Sequence, residues 1–324
     1  MGGVRLLVIA CSVALNAPLG AGSAACATLP AASATGSIDS LVALPAWEPF
    51  DPEARLHLVP HSLSLDPVGR LWLLDRSRGR IMRLGPDGTG HSFSVTARAD
   101  GMLTPAADLA ISGAFLFLLE PTSPSISLLD LDGLFRERVD LAPELDRAGQ
   151  RGFVASRLLV GRSGDLWLLE PRTAGLLHLD RRGRFLDAPL DALGGGDRPR
   201  RIADAAPGPD DGIVLLDAER PAILLIRATG APQPPQPLEP PVVEPASLAV
   251  DAAGRRYVLE GNRRLRILDA EGLLLWDGLL PGKGLTGLHR TCVTADNVLC
   301  STDPSRGLIH RWQTARSELE DAQR

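Results

Sequence analysis

A small set of polar side chains stands where the chain is otherwise apolar. His61, Asp108, Arg157, Asp204, Ser247 and either His289 or Arg290 each open or precede a short hydrophobic run, such as Leu109-Ala110-Ile111 or Leu158-Leu159-Val160. A polar group at the head of a buried run costs free energy unless it meets water, a partner or a ligand. If the runs converge, these residues form a polar funnel, a mouth for a small ligand or for part of a protein partner. Within it, Asp108 and Asp204 are the candidate oxygen donors for a divalent cation. His61 and His289 could share a metal if the first and last runs are neighbours. A hydrated channel with no ligand is the alternative. No residue is assigned a catalytic role, because the chain has no Gly-x-Ser-x-Gly, His-Glu-x-x-His, Cys-x-x-Cys-His or phosphate-loop pattern.

What must position these residues is a repeat. Leu71-Trp72-Leu73-Leu74-Asp75 returns as Leu166-Trp167-Leu168-Leu169-Glu170 and as Tyr257-Val258-Leu259-Glu260. Each run is too short for a helix, is bounded by turn residues and ends in an acid, which fits a buried strand. Weaker copies place further acids at Glu120, Asp217 and Asp303, so the marker recurs every 43–50 residues. A glycine follows it by 12 or 13 residues in five units, at Gly88, Gly133, Gly183, Gly230 and Gly272. The acids read as turn caps, and Trp72 and Trp167 as packing between units. Periods of this length with several strands each indicate a propeller. The expected fold is therefore all-β: a six-bladed β-propeller with about four antiparallel strands per blade. The last unit lacks its own outer strand, so Leu41 to Leu44 is expected to supply it and close the ring, removing exposed sheet edges.

On Gly69-Arg70-Leu71-Trp72-Leu73-Leu74-Asp75 with Pro86-Asp87-Gly88, and on Gly254-Arg255-Arg256-Tyr257-Val258-Leu259-Glu260 with Ala270-Glu271-Gly272, the chain resembles NHL-type and related six-bladed propellers, the gluconolactonase-like proteins among them. The resemblance spans roughly residues 61–314 and implies the architecture. That group contains lactonases, lyases and pure binding modules, so fold alone does not choose an activity. Gluconolactonase-like relatives hold a divalent metal with carboxylate and Asn side chains. Here Asn262 and Asn297 fall in turns away from the mouth, a departure from that pattern. The expected function is a binding or interaction scaffold with its ligand or partner at the channel mouth. The alternative is a metal-assisted hydrolase or lyase using Asp108, Asp204 and His61.

Residues 1–27 read as an export leader, with Arg5 before the apolar run Leu6 to Leu15 and small residues near Ala25-Cys26-Ala27. Cleavage there by an ordinary signal peptidase and lipidation of Cys26 are both open. Residues 28–37 read as a linker, 38–314 as the propeller and 315–324 as a tail of helical character. The expected location is the bacterial envelope or beyond: periplasm, outer membrane through a lipid on Cys26, or medium. In an oxidising compartment Cys292 and Cys300 are a candidate disulfide, and two buried thiols are the alternative. A net charge of −5 argues against nucleic acid as a partner. No cofactor is evident; a divalent cation is the one that could be present.

Overall fold

The computed structural model describes Ile38 and residues 40–315, apart from 86, 95–105, 121–123, 162, 195, 209, 262 and 286. The leader with Cys26, the linker and the tail lie outside the described residues.

Six four-stranded antiparallel sheets follow one another around a ring. In blades one to five the chain runs outward from the channel. The first strands are Ser62–Leu65, Asp108–Ser112, Arg157–Val160, Ile202–Pro207 and Pro245–Val250. The second strands carry the marker acids, and runs such as Leu71–Asp75 and Ile213–Asp217 are buried along their whole length. Blade six holds Thr291–Val293, Val298–Asp303 and Leu308–Ala315, and its outer strand is Ser40–Trp47. Leu41 pairs with Thr314 and Leu44 with Arg311, so the expected N-terminal closure is present.

The core is divided in the same way. Six separate hydrophobic clusters each lie between two neighbouring blades. One joins Trp72 and Leu74 to Leu109 and Leu118, and another joins Leu63 and Leu73 of blade one to Cys300 and Ile309 of blade six. Trp72 and Trp167 are 1% and 0% exposed, which fits packing between blades.

The repeated turns have a common chemistry. In Asp66, Asp130, Asp180, Asp251 and Asp269, one carboxylate oxygen accepts the amides two and four residues on. The glycine three residues on has positive φ in every case, from 76° to 96°. The marker acids divide by length. Asp75, Asp217 and Asp303 cap the next turn as expected. The longer Glu120 and Glu260 instead reach Ser127 and the amide of Val243.

Within the Pro-rich residues 233–245, Gln236–Pro237 form a two-residue outer strand for blade four. In the loop before blade four the carbonyls of Gly196 and Asp197 accept from Arg220, and Arg198 pairs with Asp191.

Candidate functional site at the channel

The ladder register defines one equivalent residue at the head of each innermost strand, opposite the residue that precedes the marker acid. The pairs are Ser62 with Leu74, Asp108 with Leu119, Arg157 with Leu169, Asp204 with Leu216 and Ser247 with Leu259. In blade six the position belongs to Arg290, whose carbonyl accepts the Thr302 amide at 2.9 Å. The structure thus brings Asp108, Arg157, Asp204, Ser247 and Arg290 into one ring. It replaces His61 with Ser62 and prefers Arg290 to His289.

These residues are bonded to one another around the channel. Ser62 donates to Asp108. Arg157 donates to Asp108 at 3.2 Å and lies 2.9 Å from Asp204. Asp204 also accepts from Arg290 at 2.9 Å and from Ser247 at 2.8 Å. Ser247 lies 2.7 Å from the Thr291 hydroxyl. Backbone amides tie blades three, five and six each to the one before. Leu158 N–H donates to Asp108, Leu248 N–H to Asp204 and Thr291 N–H to Ser247. One connected network therefore touches all six blades, and its two carboxylates balance its two guanidinium groups.

The pKa directions follow from this pairing. Burial would raise Asp204, but Arg157 and Arg290 outweigh it and hold the carboxyl below its ordinary value. Burial would lower Arg157, but Asp204 and Asp108 raise it. Arg290 is lowered, by burial first and then by Arg157.

His289 stands just outside the ring, exposed at the mouth. The protein packed around it and then the Arg290 charge push its pKa down to about 4. His61 is turned to its own blade. Its Nδ1 lies 3.0 Å from the Val59 carbonyl and 3.2 Å from the Arg76 amide, and 3.8 Å from Asp75. The tautomer decides whether it donates or accepts.

Asp108 and Asp204, the candidate cation donors, are already paired within the protein. A divalent cation needs several free oxygen donors, and here the Arg157 guanidinium already lies between these two carboxylates. The donor set does not suit a metal. Among the described residues no three His, Cys, Asp or Glu side chains converge as metal donors. Asn297 sits in a turn and accepts from Arg255, away from the ring.

Cys292 and Cys300 face each other across blade six but are free thiols, so the candidate disulfide is not formed. The hydrogen bonds Thr302 N–H to Arg290 O and Thr294 N–H to Val298 O make them a hydrogen-bonded pair of the ladder. That is the wider of the two antiparallel pairings, about 5.5 Å between Cα atoms, and side chains approach less closely there.

No protein-family model matches the chain, and no curated protein matches it. Solved structures do. A gluconolactonase from Xanthomonas campestris superimposes with a TM-score of 0.57 at 16% identity, over 85% of this chain and 99% of that one. A calcium-binding protein, regucalcin, from Agrobacterium tumefaciens gives 0.55 at 16%, over 80% and 91%. A catalytically inactive histidine-to-alanine variant of virginiamycin B lyase from Staphylococcus aureus, with quinupristin, gives 0.54 at 15%, over 84% of each chain. At these identities the likeness is one of fold.

Proposed function

We propose that this chain is a binding propeller, an interaction scaffold of the cell envelope that holds a ligand or partner at its channel mouth. The observation that supports this is the position of Arg157 between Asp108 and Asp204. It occupies both carboxylates that a metal site or a general base would use. What remains at the mouth is Arg290, partly exposed, and the neutral His289, groups suited to recognition of a polar partner. The leader read in residues 1–27 supports the envelope placement. Metal analysis of the purified protein tests the reading. Protein free of stoichiometric calcium or zinc is expected, and stoichiometric metal that disappears in Asp108→Ala would sink it.

One observation favours the second reading, a hydrolase or lyase. With a pKa near 4, His289 is unprotonated at neutral pH and competent to accept a proton. The virginiamycin B lyase variant inactivated by a histidine-to-alanine change gives that observation weight. On this reading His289 is the base, Arg290 stabilises developing negative charge, and a divalent cation would have to displace Arg157. Turnover of a cyclic ester by the wild type, abolished in His289→Ala, would establish it.

A further inference from the structure

The charges of the ring balance, but those of the mouth around it do not. Asp108 and Asp204 match Arg157 and Arg290. Arg76, in the turn that follows the second strand of blade one, brings a third guanidinium. Burial lowers the Arg290 pKa first. Among its charged neighbours Arg157 and Arg76 lower it further, and Asp204 and Asp108 work against them. Arg76 is exposed, and its side chain has no partner among the described residues. The neighbouring Asp75 does not offset it, because Arg78 donates to that carboxylate at 3.0 Å. Three guanidinium groups and two carboxylates leave one positive charge in surplus.

Arg290 also keeps an open donor. Its Nη1 donates to Asp204 at 2.9 Å and its Nε is sealed inside the protein, whereas Nη2 reaches solvent and has no hydrogen-bond partner among the described residues. The open side is the mouth. The cavity of ≈ 510 Å³ on the far side of the ring is lined by Arg157 and Thr291 but by neither Arg290 nor His289. His289, exposed beside Arg290, is uncharged at neutral pH and adds one N–H donor.

We infer that the mouth takes the carboxylate of a small organic acid, held by Arg290 Nη2, with Arg76 supplying the charge that balances it. This rests on the binding reading above and gives it a ligand class. A guanidinium donating to a carboxylate makes a charge-assisted hydrogen bond, roughly twice as strong as a neutral one. One negative charge cancels the surplus. A dianion would leave excess negative charge beside Asp108 and Asp204, and a neutral ligand would leave the surplus uncancelled.

Titration calorimetry at pH 7 and low ionic strength with benzoate, benzamide and sulfate tests this. Benzoate is expected to bind one to one, with benzamide and sulfate each weaker by at least about tenfold. The His289 imidazole resonances should shift on saturation with benzoate and stay in place with benzamide. Arg290→Gln removes the donor and should abolish the signal. Arg76→Gln lies outside the ring, so it guards against a fold defect in the first variant, and it should weaken benzoate about threefold, the scale of one exposed ion pair. Metal-free wild type that ignores benzoate overturns this inference and leaves the binding reading standing. Stoichiometric metal that disappears in Asp108→Ala overturns both. Benzamide or sulfate binding as tightly as benzoate overturns the ligand class, and so does benzoate affinity that is unchanged in folded Arg76→Gln.

Discussion

Trp47 of the closing strand packs against Gly88 in blade one, so that a methyl group on Gly88 would fall 2.6 Å from Trp47 Cγ. The same relation repeats around the ring. Gly133 receives Phe93, Gly183 receives Val139 and Gly230 receives Asp187, each from the outer strand of the preceding blade. Trp47 thus does for blade six what the outer strands do elsewhere, and Arg311 stacks over it at 3.9 Å. In blades one to four the glycine that follows the marker acid is needed twice, for its positive φ and for the neighbour it admits.

Gly88→Ala should therefore cost about 3 kcal/mol in urea unfolding, from left-handed backbone strain plus forced movement of Trp47. Gly113 supplies the control, with φ of 57° and no atom within 4 Å of an added methyl. Gly113→Ala should cost only the strain, about 1 kcal/mol. Equal losses at the two sites would show that the ring is not clasped there.

Arg157→Ala should be among the most destabilising changes in the chain. It leaves Asp108 without its counter-ion and Asp204 with Arg290 alone, in a buried setting where an uncompensated charge costs roughly 3–5 kcal/mol. Adding Asp108→Asn should recover part of that loss. A double-mutant cycle measures it, and simple additivity would mean the two side chains do not interact in solution.

The ring was legible because polar residues are conspicuous at the heads of apolar strands, and the marker acids supply a register. Asp108, Arg157, Asp204 and Ser247 follow from that alone. His61 and Ser62 are both polar neighbours, as are His289 and Arg290, so sequence spacing could not choose within either pair. The ladder chose Ser62 and Arg290. What the two acids pair with was hidden for a different reason. Residue types gave two acids, but only geometry shows a guanidinium from the next blade lying between them. One signal was available: the equivalent positions carry two acids and two arginines, a balanced set. The packing of outer strands onto the turn glycines had no sequence signature beyond their regular spacing.

Asp51 should set part of the acid sensitivity. It is 1% exposed and holds Ser92 of the blade-one outer strand through both amide and hydroxyl. Burial works to raise its pKa, but the amides of Ala54, Ser92 and Glu53 and the Ser92 hydroxyl bring it to about 2, from 3.8. A depressed carboxyl stabilises the fold above its unfolded pKa and loses that contribution as pH falls from about 4 towards 2. The stability gap between wild type and Asp51→Asn should be about 2 kcal/mol at pH 6 and shrink across that window. A gap that stays constant down to pH 2 would contradict it.

The thiols of blade six should be inert in the native state. The Cys300 contact and then burial raise the Cys292 pKa well above its ordinary value, and Cys300 is 1% exposed. The reactive species is the thiolate. Labelling with an aromatic disulfide reagent at pH 8, located by peptide mapping, should reach Cys292 and Cys300 only after unfolding. Rapid native labelling at Cys292 would mean that blade six opens readily.

His289 offers a direct check on the electrostatics of the mouth. Its imidazole should titrate near pH 4 by NMR, against an ordinary value of 6.5. Surrounding protein is the larger cause and Arg290 the second, so Arg290→Gln should raise the midpoint only part of the way. The sign for stability follows. The unfolded chain protonates this group near 6.5 and the folded chain resists until about 4, so the histidine favours unfolding as pH drops through that interval. His289→Gln should flatten the pH dependence of stability between 6.5 and 4. A wild-type midpoint at or above 6 would place the imidazole away from Arg290 in solution, and the base assigned to it in the second functional reading would lose its physical ground.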